Sequence, residues 1–430
     1  MPTRRNALTK LADAIRDLKD ASAGLFHSIA DASRDKVEGI TRAAYGPEET
    51  ATGEILADFA RSEGLQASWD GVGNIHMTRP GNGKSNKEIV IGSHIDTVPR
   101  GGNFDGLAGV VAGVTLLAAL QRASIATDHG IRVIGFRGEE SPWLGQAYIG
   151  SKLLMGALSR DELHNLKHSR YGKSLWQLLE DLKLDPEESL NRKQIQPANI
   201  HAYLELHIEQ APLLVSLNRP VAVARAVRGN IRHPKVTVTG EYGHSGAMPR
   251  HLRKDTVMAT AKLLASIDGE WKRLIDAGND DLVYTTGVIQ TNAATHTMTK
   301  VPGELTWSFN VGGTNDGVMQ ELYDFAIRKA YELAREHSVT FDFGVRTGSS
   351  ASPLDPRIMN AAIRAGEDLS IAMEIMPTVG HDAAIFEKNG VPCGVILIRN
   401  ENGSHNADEA MEIEDFILGV QVLGATAVSI

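Results

Sequence analysis

His94 and Asp105 stand eleven positions apart in GSHIDTVPRGGNFDG, an imidazole and a carboxylate on either side of a glycine-rich loop. Imidazole nitrogen and carboxylate oxygen are ligands that borderline divalent cations accept, so this spacing points to a metal site. Asp96 follows His94 by two residues, on the same face of an extended chain, where its carboxylate can hold the far imidazole nitrogen. Glu139 and Glu140 form a second group. Neighbours on an extended chain point opposite ways, so one can ligate a cation while the other turns toward the water that the cation activates. His207 in ELHIEQ and His405 in ENGSHNADE add further imidazoles. Taken singly, each of these residues reads equally well as an exposed or structural side chain. Taken together they read as a metal centre built for hydrolysis.

The elements that must position them follow from the apolar pattern. EIVIGSH, bounded by GNGKSNK and the glycine loop, predicts a buried strand that ends at His94. Open α/β sheets carry their ligands at such strand ends. IRVIGF at 131–136 runs out before Glu139, and AYLELHIEQ at 202–210 carries His207. Helical patterns fall at 6–20 and 48–63, and GLAGVVAGVTLLAALQ, too short for a membrane span, predicts a core helix. This alternation predicts an α/β domain with a mostly parallel sheet, and residues 160–198 predict exposed helices covering it. From about Pro212 to Val345 the order becomes strand, helix, strand, strand, helix, strand, beginning with PVAVARAV. That is the order of a smaller α+β unit of the split βαβ kind, inserted into the first. The expected division is a discontinuous catalytic, metal-binding domain over 1–212 and 346–430, and an inserted domain over 213–345.

A chain of 430 residues has length for two domains, and 42% hydrophobic with 23% charged residues is a globular composition. A net charge of -9 argues against nucleic-acid and anionic-membrane surfaces, which need clustered Lys and Arg, and favours a small-molecule substrate. Cys393 is the single cysteine and lies in the apolar run GVPCGVILI, which predicts a buried thiol and excludes an intrachain disulfide. The segment MPTRRNALTKLADAIRDLKD mixes both charge signs and has no continuous apolar core, from which a cytoplasmic protein is expected.

GSHIDTVPRGGNFDG, GEES, GSKLLMG, HIEQAP, VTVTGEYGHSGAMPRHLRKD and GSHNADEAMEIEDF, in this order, resemble the motifs of a metal-dependent amidohydrolase family. That family includes N-carbamoyl-L-amino-acid hydrolases, β-ureidopropionase and allantoate amidohydrolase, and is related to zinc aminoacylases and dipeptidases. The resemblance implies a hydrolase of a non-peptide C–N bond, in a linear amide or N-carbamoyl substrate, with two divalent ions per subunit: zinc first, or manganese, cobalt or nickel. It makes Asp105 the bridging carboxylate, with His94 and His405 completing one ion and Glu140 and His207 the other. Glu139 becomes the general base. His244 in GHSGAMP resembles a histidine of the inserted lid and dimerisation domain that enters the partner subunit's site, which implies a homodimer. His381 and Asp382 in VGHDAAIF resemble a further motif near the site, His381 among the candidate substrate contacts.

The pattern breaks where relatives that act on N-carbamoyl amino acids carry an Asn and an Arg that hold the substrate carboxylate. In HTMTKVPGELTWSFNVGG those places are Thr299 and Gly312. Glycine cannot replace a guanidinium, whose charge-assisted hydrogen bonds contribute about 1.5–3 kcal/mol. Arg250 is the candidate relocated charge, Asn230 and Thr299 remain candidate substrate contacts, and Arg225 and Arg228 in VARAVRGN read as solvated lid arginines. Other activities compatible with the same centre are those of an aminoacylase or dipeptidase, or removal of an amino group from an aromatic ring. A catalytically silent binding protein would show a damaged ligand set, yet His94, Asp105, Glu139, Glu140, His207 and His405 are all present.

Overall fold

The computed structural model describes residues 4–191 and 193–430, so the first three positions of the N-terminal segment lie outside the described residues. Its central sheet runs in the order Gln66–Trp69, Ile75–Arg79, Gly130–Phe136, Glu88–His94, Ile200–Ile208, Cys393–Ile398 and Val221–Val227. The four middle strands, from Gly130–Phe136 to Cys393–Ile398, are parallel, and the outer pairings are antiparallel. Parallel strands buried on both faces must be apolar throughout. CGVILI is accordingly buried at every position and EIVIGSH at all but its first.

The helix Leu107–Arg122 is apolar around most of its circumference and is buried from Leu107 to Leu120, as a helix packed between layers must be. Together with Arg4–Arg16 and Ile413–Ala427 it forms a layer against the sheet. Among the described residues no helix is long and apolar enough to cross a membrane. The Cys393 thiol is buried, and burial pushes its pKa well up.

The chain divides into two compact units, 1–225 with 354–430, and 226–353. PVAVARAV, expected as the first strand of the insertion, instead pairs with Cys393–Ile398 in the central sheet through Val221, Ala222 and Val223. Its alternation of valine and alanine fits either sheet, so composition did not decide. Arg225 therefore lies on a strand of the first unit. The helices within 160–198 also differ from expectation. Arg160–Asn165 and Leu175–Asp181 bury Leu163, Leu175, Leu178 and Leu179 in a separate cluster with Tyr45, Val72 and Trp143. Each begins with a serine capping box that fixes so short a helix.

The second unit is an antiparallel sheet, in the order Ile289–Thr291, Glu304–Gly313, Gly229–Thr239 and Thr340–Asp342, under helices Thr256–Asp276 and Asp316–His337. Leu305, Trp307, Phe309 and Val311 alternate toward the helices and make its core, which leaves Thr306, Ser308, Asn310 and Gly312 on the other face.

Candidate active site

Every expected metal ligand of the first unit stands at or just beyond the carboxyl end of a parallel strand. His94 ends Glu88–His94, Glu139 and Glu140 follow Gly130–Phe136, His207 lies near the end of Ile200–Ile208, and His405 follows Cys393–Ile398. Asp105 sits on the loop between its strand and the helix that starts at Leu107. Gly106 makes that turn possible. Its φ of +67° is in the left-handed region, and a Cβ on it would stand 2.4 Å from the His94 ring.

Asp105 faces two ways. Its Oδ1 is 3.2 Å from His207 Nε2 and 3.8 Å from His94 Nε2, while its Oδ2 is 3.1 Å from His405 Nε2. His405 Nε2 is in turn 3.2 Å from Glu140 Oε1. His94, Asp105 and His207 thus form one triad, and Asp105, Glu140 and His405 another. Side-chain proximity groups the residues differently from the expected pairing of His94 with His405 and Glu140 with His207, and a third group, His94 with Glu139 and Glu140, overlaps both triads. The physical reason for the first triad is strand order: Glu88–His94 and Ile200–Ile208 are adjacent, which brings their terminal imidazoles together. Tetrahedral bonds of about 2.0 Å place donor atoms roughly 3.3 Å apart, so both triads fit a small divalent cation.

The imidazoles are oriented through their other nitrogens. His207 Nδ1 lies 2.9 Å from the Ile208 carbonyl and His94 Nδ1 lies 3.1 Å from the Asp96 carbonyl, which fixes each as a donor and turns Nε2 to Asp105. The Asp96 carboxylate also lies 3.4 Å from His94 Nδ1. Its Oδ1 accepts the Glu139 backbone N–H at 3.0 Å and its Oδ2 the Glu140 N–H at 3.1 Å. One buried carboxylate thereby ties the end of one strand to the end of the next.

Electrostatics agree with a site meant for positive charge. Burial pushes the Glu139 carboxyl well up, helped by neighbouring Glu140, and burial also raises Glu140. His405 is pushed up to about 10 by hydrogen bonding to Asp105 and Glu140, whereas burial brings His207 down to about 4. Carboxylates crowded in this way need cations near them.

Several contributors were not singled out by sequence reasoning. Gln210 Nε2 donates to Asp105 Oδ1 at 3.0 Å and Oδ2 at 2.9 Å, and Ser404 Oγ donates to Oδ2 at 2.6 Å. Gln210 is in the quoted motif HIEQAP, three residues past His207, which was the available signal. Buried Arg137 pairs with buried Glu49 at 2.9 Å, and Glu49 accepts the Gly138 N–H at 2.9 Å, anchoring the turn into Glu139. Arg42, also buried, donates to the Ile95 carbonyl and to Asn103 across the glycine loop. Ser151 of GSKLLMG donates to Asp382 at 2.5 Å. The His381 ring lies 4.2 Å from that of His207, with its Nε2 2.6 Å from the Thr378 hydroxyl.

The remaining candidates belong to the second unit and separate into two groups. Exposed His244 pairs across a short ribbon with Lys300, next to Thr299, and Arg250 opens an exposed turn shortly after it. Asn230 is paired with Gly312, and its amide lies 3.4 Å from the Ser349 hydroxyl. Asn230 lies at the start of the long strand Gly229–Thr239, which spans about 30 Å at ~3.3 Å per residue, and the His244 group follows its far end. Arg228 donates to the Asp281 carbonyl at 3.2 Å, so it is held rather than simply solvated.

Known proteins resemble this chain over most of its length. The chain is 28% identical over 387 residues to N-carbamoyl-L-amino acid amidohydrolase of Geobacillus stearothermophilus, covering 90% of this chain and 92% of the relative. It is likewise 28% identical over 392 residues to allantoate amidohydrolase of Escherichia coli (strain K12), covering 90% and 92%. Among solved structures, a hydantoinase/carbamoylase family amidase from Burkholderia multivorans superposes with a TM-score of 0.85 at 22% identity, covering 96% of this chain and 97% of the other. Residues 90–429 match the model of peptidase family M20/M25/M40, a span that contains both triads and Glu139, and the chain belongs to that family.

Proposed function

We propose that the chain is a dinuclear metal-dependent amidohydrolase that cleaves a non-peptide C–N bond, in a linear amide or N-carbamoyl substrate. The observation that supports this best is Asp105, whose two oxygens face different ligand pairs while Glu139 lies beside them, its Oε2 3.9 Å from His94 Nε2. Divalent cations held by the two triads would polarise the scissile carbonyl and acidify the attacking water. Glu139, with a side chain only 12% exposed and a carboxyl raised by burial, takes the proton from that water and passes it to the departing nitrogen. His381, packed on His207, lines the substrate space.

His244 acts on the partner subunit's site in this reading, and the chain works as a homodimer. The edge strand Ile289–Thr291 supports that, because it leaves Val288 and Ile289 exposed, an apolar edge of the kind that pairs with another chain.

Substrate choice departs from that of the N-carbamoyl-L-amino acid enzymes. With Gly312 and Thr299 at the usual carboxylate places, ordinary N-carbamoyl-L-α-amino acids are poor substrates, and Arg250 is the candidate replacement charge. The test is a panel of N-carbamoyl, N-acyl and arylamine compounds offered to metal-loaded protein, with product analysis. Carbamoyl cleavage gives ammonia and carbon dioxide, and deacylation gives a carboxylic acid and an amine. Turnover of simple N-carbamoyl-L-amino acids with kcat/KM above about 10⁴ M⁻¹s⁻¹ contradicts the substrate reading. Arg250→Ala is expected to raise KM strongly for an acidic substrate and barely for a neutral one.

A further inference from the structure

Glu409 is buried near the end of the loop that carries His405. Its Oε1 accepts the backbone N–H of Phe104 at 2.7 Å and that of Asp105 at 3.2 Å. Its Oε2 lies 3.2 Å from the hydroxyl of Ser404, the same hydroxyl that donates to Asp105 Oδ2. One carboxylate therefore grips the loop of the bridging ligand on one side and the loop of a terminal ligand on the other.

The fit is close from both directions. Gly102 approaches so tightly that a Cβ there would stand 2.2 Å from the Glu409 carboxyl, a contact only glycine avoids. Across the other loop, Glu401 and Ala410 exchange backbone hydrogen bonds of 2.7 and 3.1 Å, closing the segment that holds His405. His405 itself sits at a φ of +62°, a conformation that persists in a non-glycine residue only when its surroundings hold it.

We propose that Glu409 is a positioning residue that registers Asp105 against His405, and so sets the affinity of the ion held by Asp105, Glu140 and His405. This rests on the dinuclear reading given above. The His94–Asp105–His207 triad depends on it less, because Asp96 and the Ile208 carbonyl orient its imidazoles. Residues behind the ligands commonly govern metal affinity by about 10–100-fold, through geometry fixed before the ion arrives.

The experiment is a titration of metal-free protein with Zn²⁺ against a competing chelating dye, giving the number of ions and the affinity of each. Wild-type protein is expected to take up two ions. Glu409→Gln keeps the volume and one acceptor oxygen, and is expected to weaken one ion by about 10–100-fold while leaving the other nearly unchanged. Gly102→Ala pushes on the same carboxylate from the opposite loop and is expected to reproduce this selective loss, so the outcome does not hang on one variant. Melting of the metal-free proteins reports that they are folded. A folded variant that binds both ions as wild type does, or loses both alike, overturns the inference. A wild-type protein that takes up a single ion overturns the dinuclear reading first and this inference with it, and that result is visible before any variant is made.

Discussion

Glu139 and Glu140 are chain neighbours with different surroundings. Glu140 lies 3.2 Å from His405 within a ligand triad, while the Glu139 carboxylate is the partly open one, 3.9 Å from His94. Glu139→Gln cannot accept a proton, so kcat should fall by about a hundredfold or more while metal content per subunit, measured by elemental analysis, stays at the wild-type value. Loss of metal with activity restored on reconstitution would reverse their roles. Asp96→Asn keeps the size of the side chain but replaces one carboxylate oxygen with an amide donor, which cannot accept a backbone N–H. Because Asp96 holds His94, Glu139 and Glu140 together, metal affinity should drop by about 10–100-fold, readable by dye competition without any substrate.

At the scale of elements, the turn at Gly106 couples the core helix to the centre. Gly106→Ala places a methyl group against the His94 ring and forces a left-handed φ on a residue with a Cβ. The expected cost is at least about 1–2 kcal/mol of stability, seen as a lower melting temperature, together with weakened metal binding. The buried Arg137–Glu49 pair works differently, because it anchors the chain leading into Glu139 from a helix distant in sequence. Arg137→Met leaves the Glu49 carboxylate buried without its partner, a change that costs about 3–5 kcal/mol in comparable cases, and chemical denaturation should show a loss of that order.

For the whole molecule, the decisive question is whether two copies share a centre. His244→Ala and Glu139→Gln proteins, each inactive alone, should recover part of the activity when their subunits exchange, because one of the two sites in the mixed dimer is intact. No recovery despite demonstrated heterodimers would assign His244 to its own subunit's site or remove it from catalysis. Ile289→Lys places a charge on the exposed edge strand and should shift the protein toward monomer in analytical ultracentrifugation, with activity falling in parallel.

Chemistry and layer order were legible in the residues themselves. Ligand types recurring after apolar runs announced a hydrolytic metal centre at strand ends, and the period of each run announced strand or helix, because those signals are local. What only the tertiary structure decided was adjacency. PVAVARAV joined the central sheet rather than the insertion because its partner, Cys393–Ile398, lies far along the chain. His94 and His207 stand together because the strands carrying them are neighbours, an order no periodicity encodes. Glu409, Glu49 and Arg137 follow no local pattern that marks them, and only burial beside loops distant in sequence gave them their work. A side chain's identity is written where it stands in the chain, but its partners are chosen by the packing that brings distant segments together.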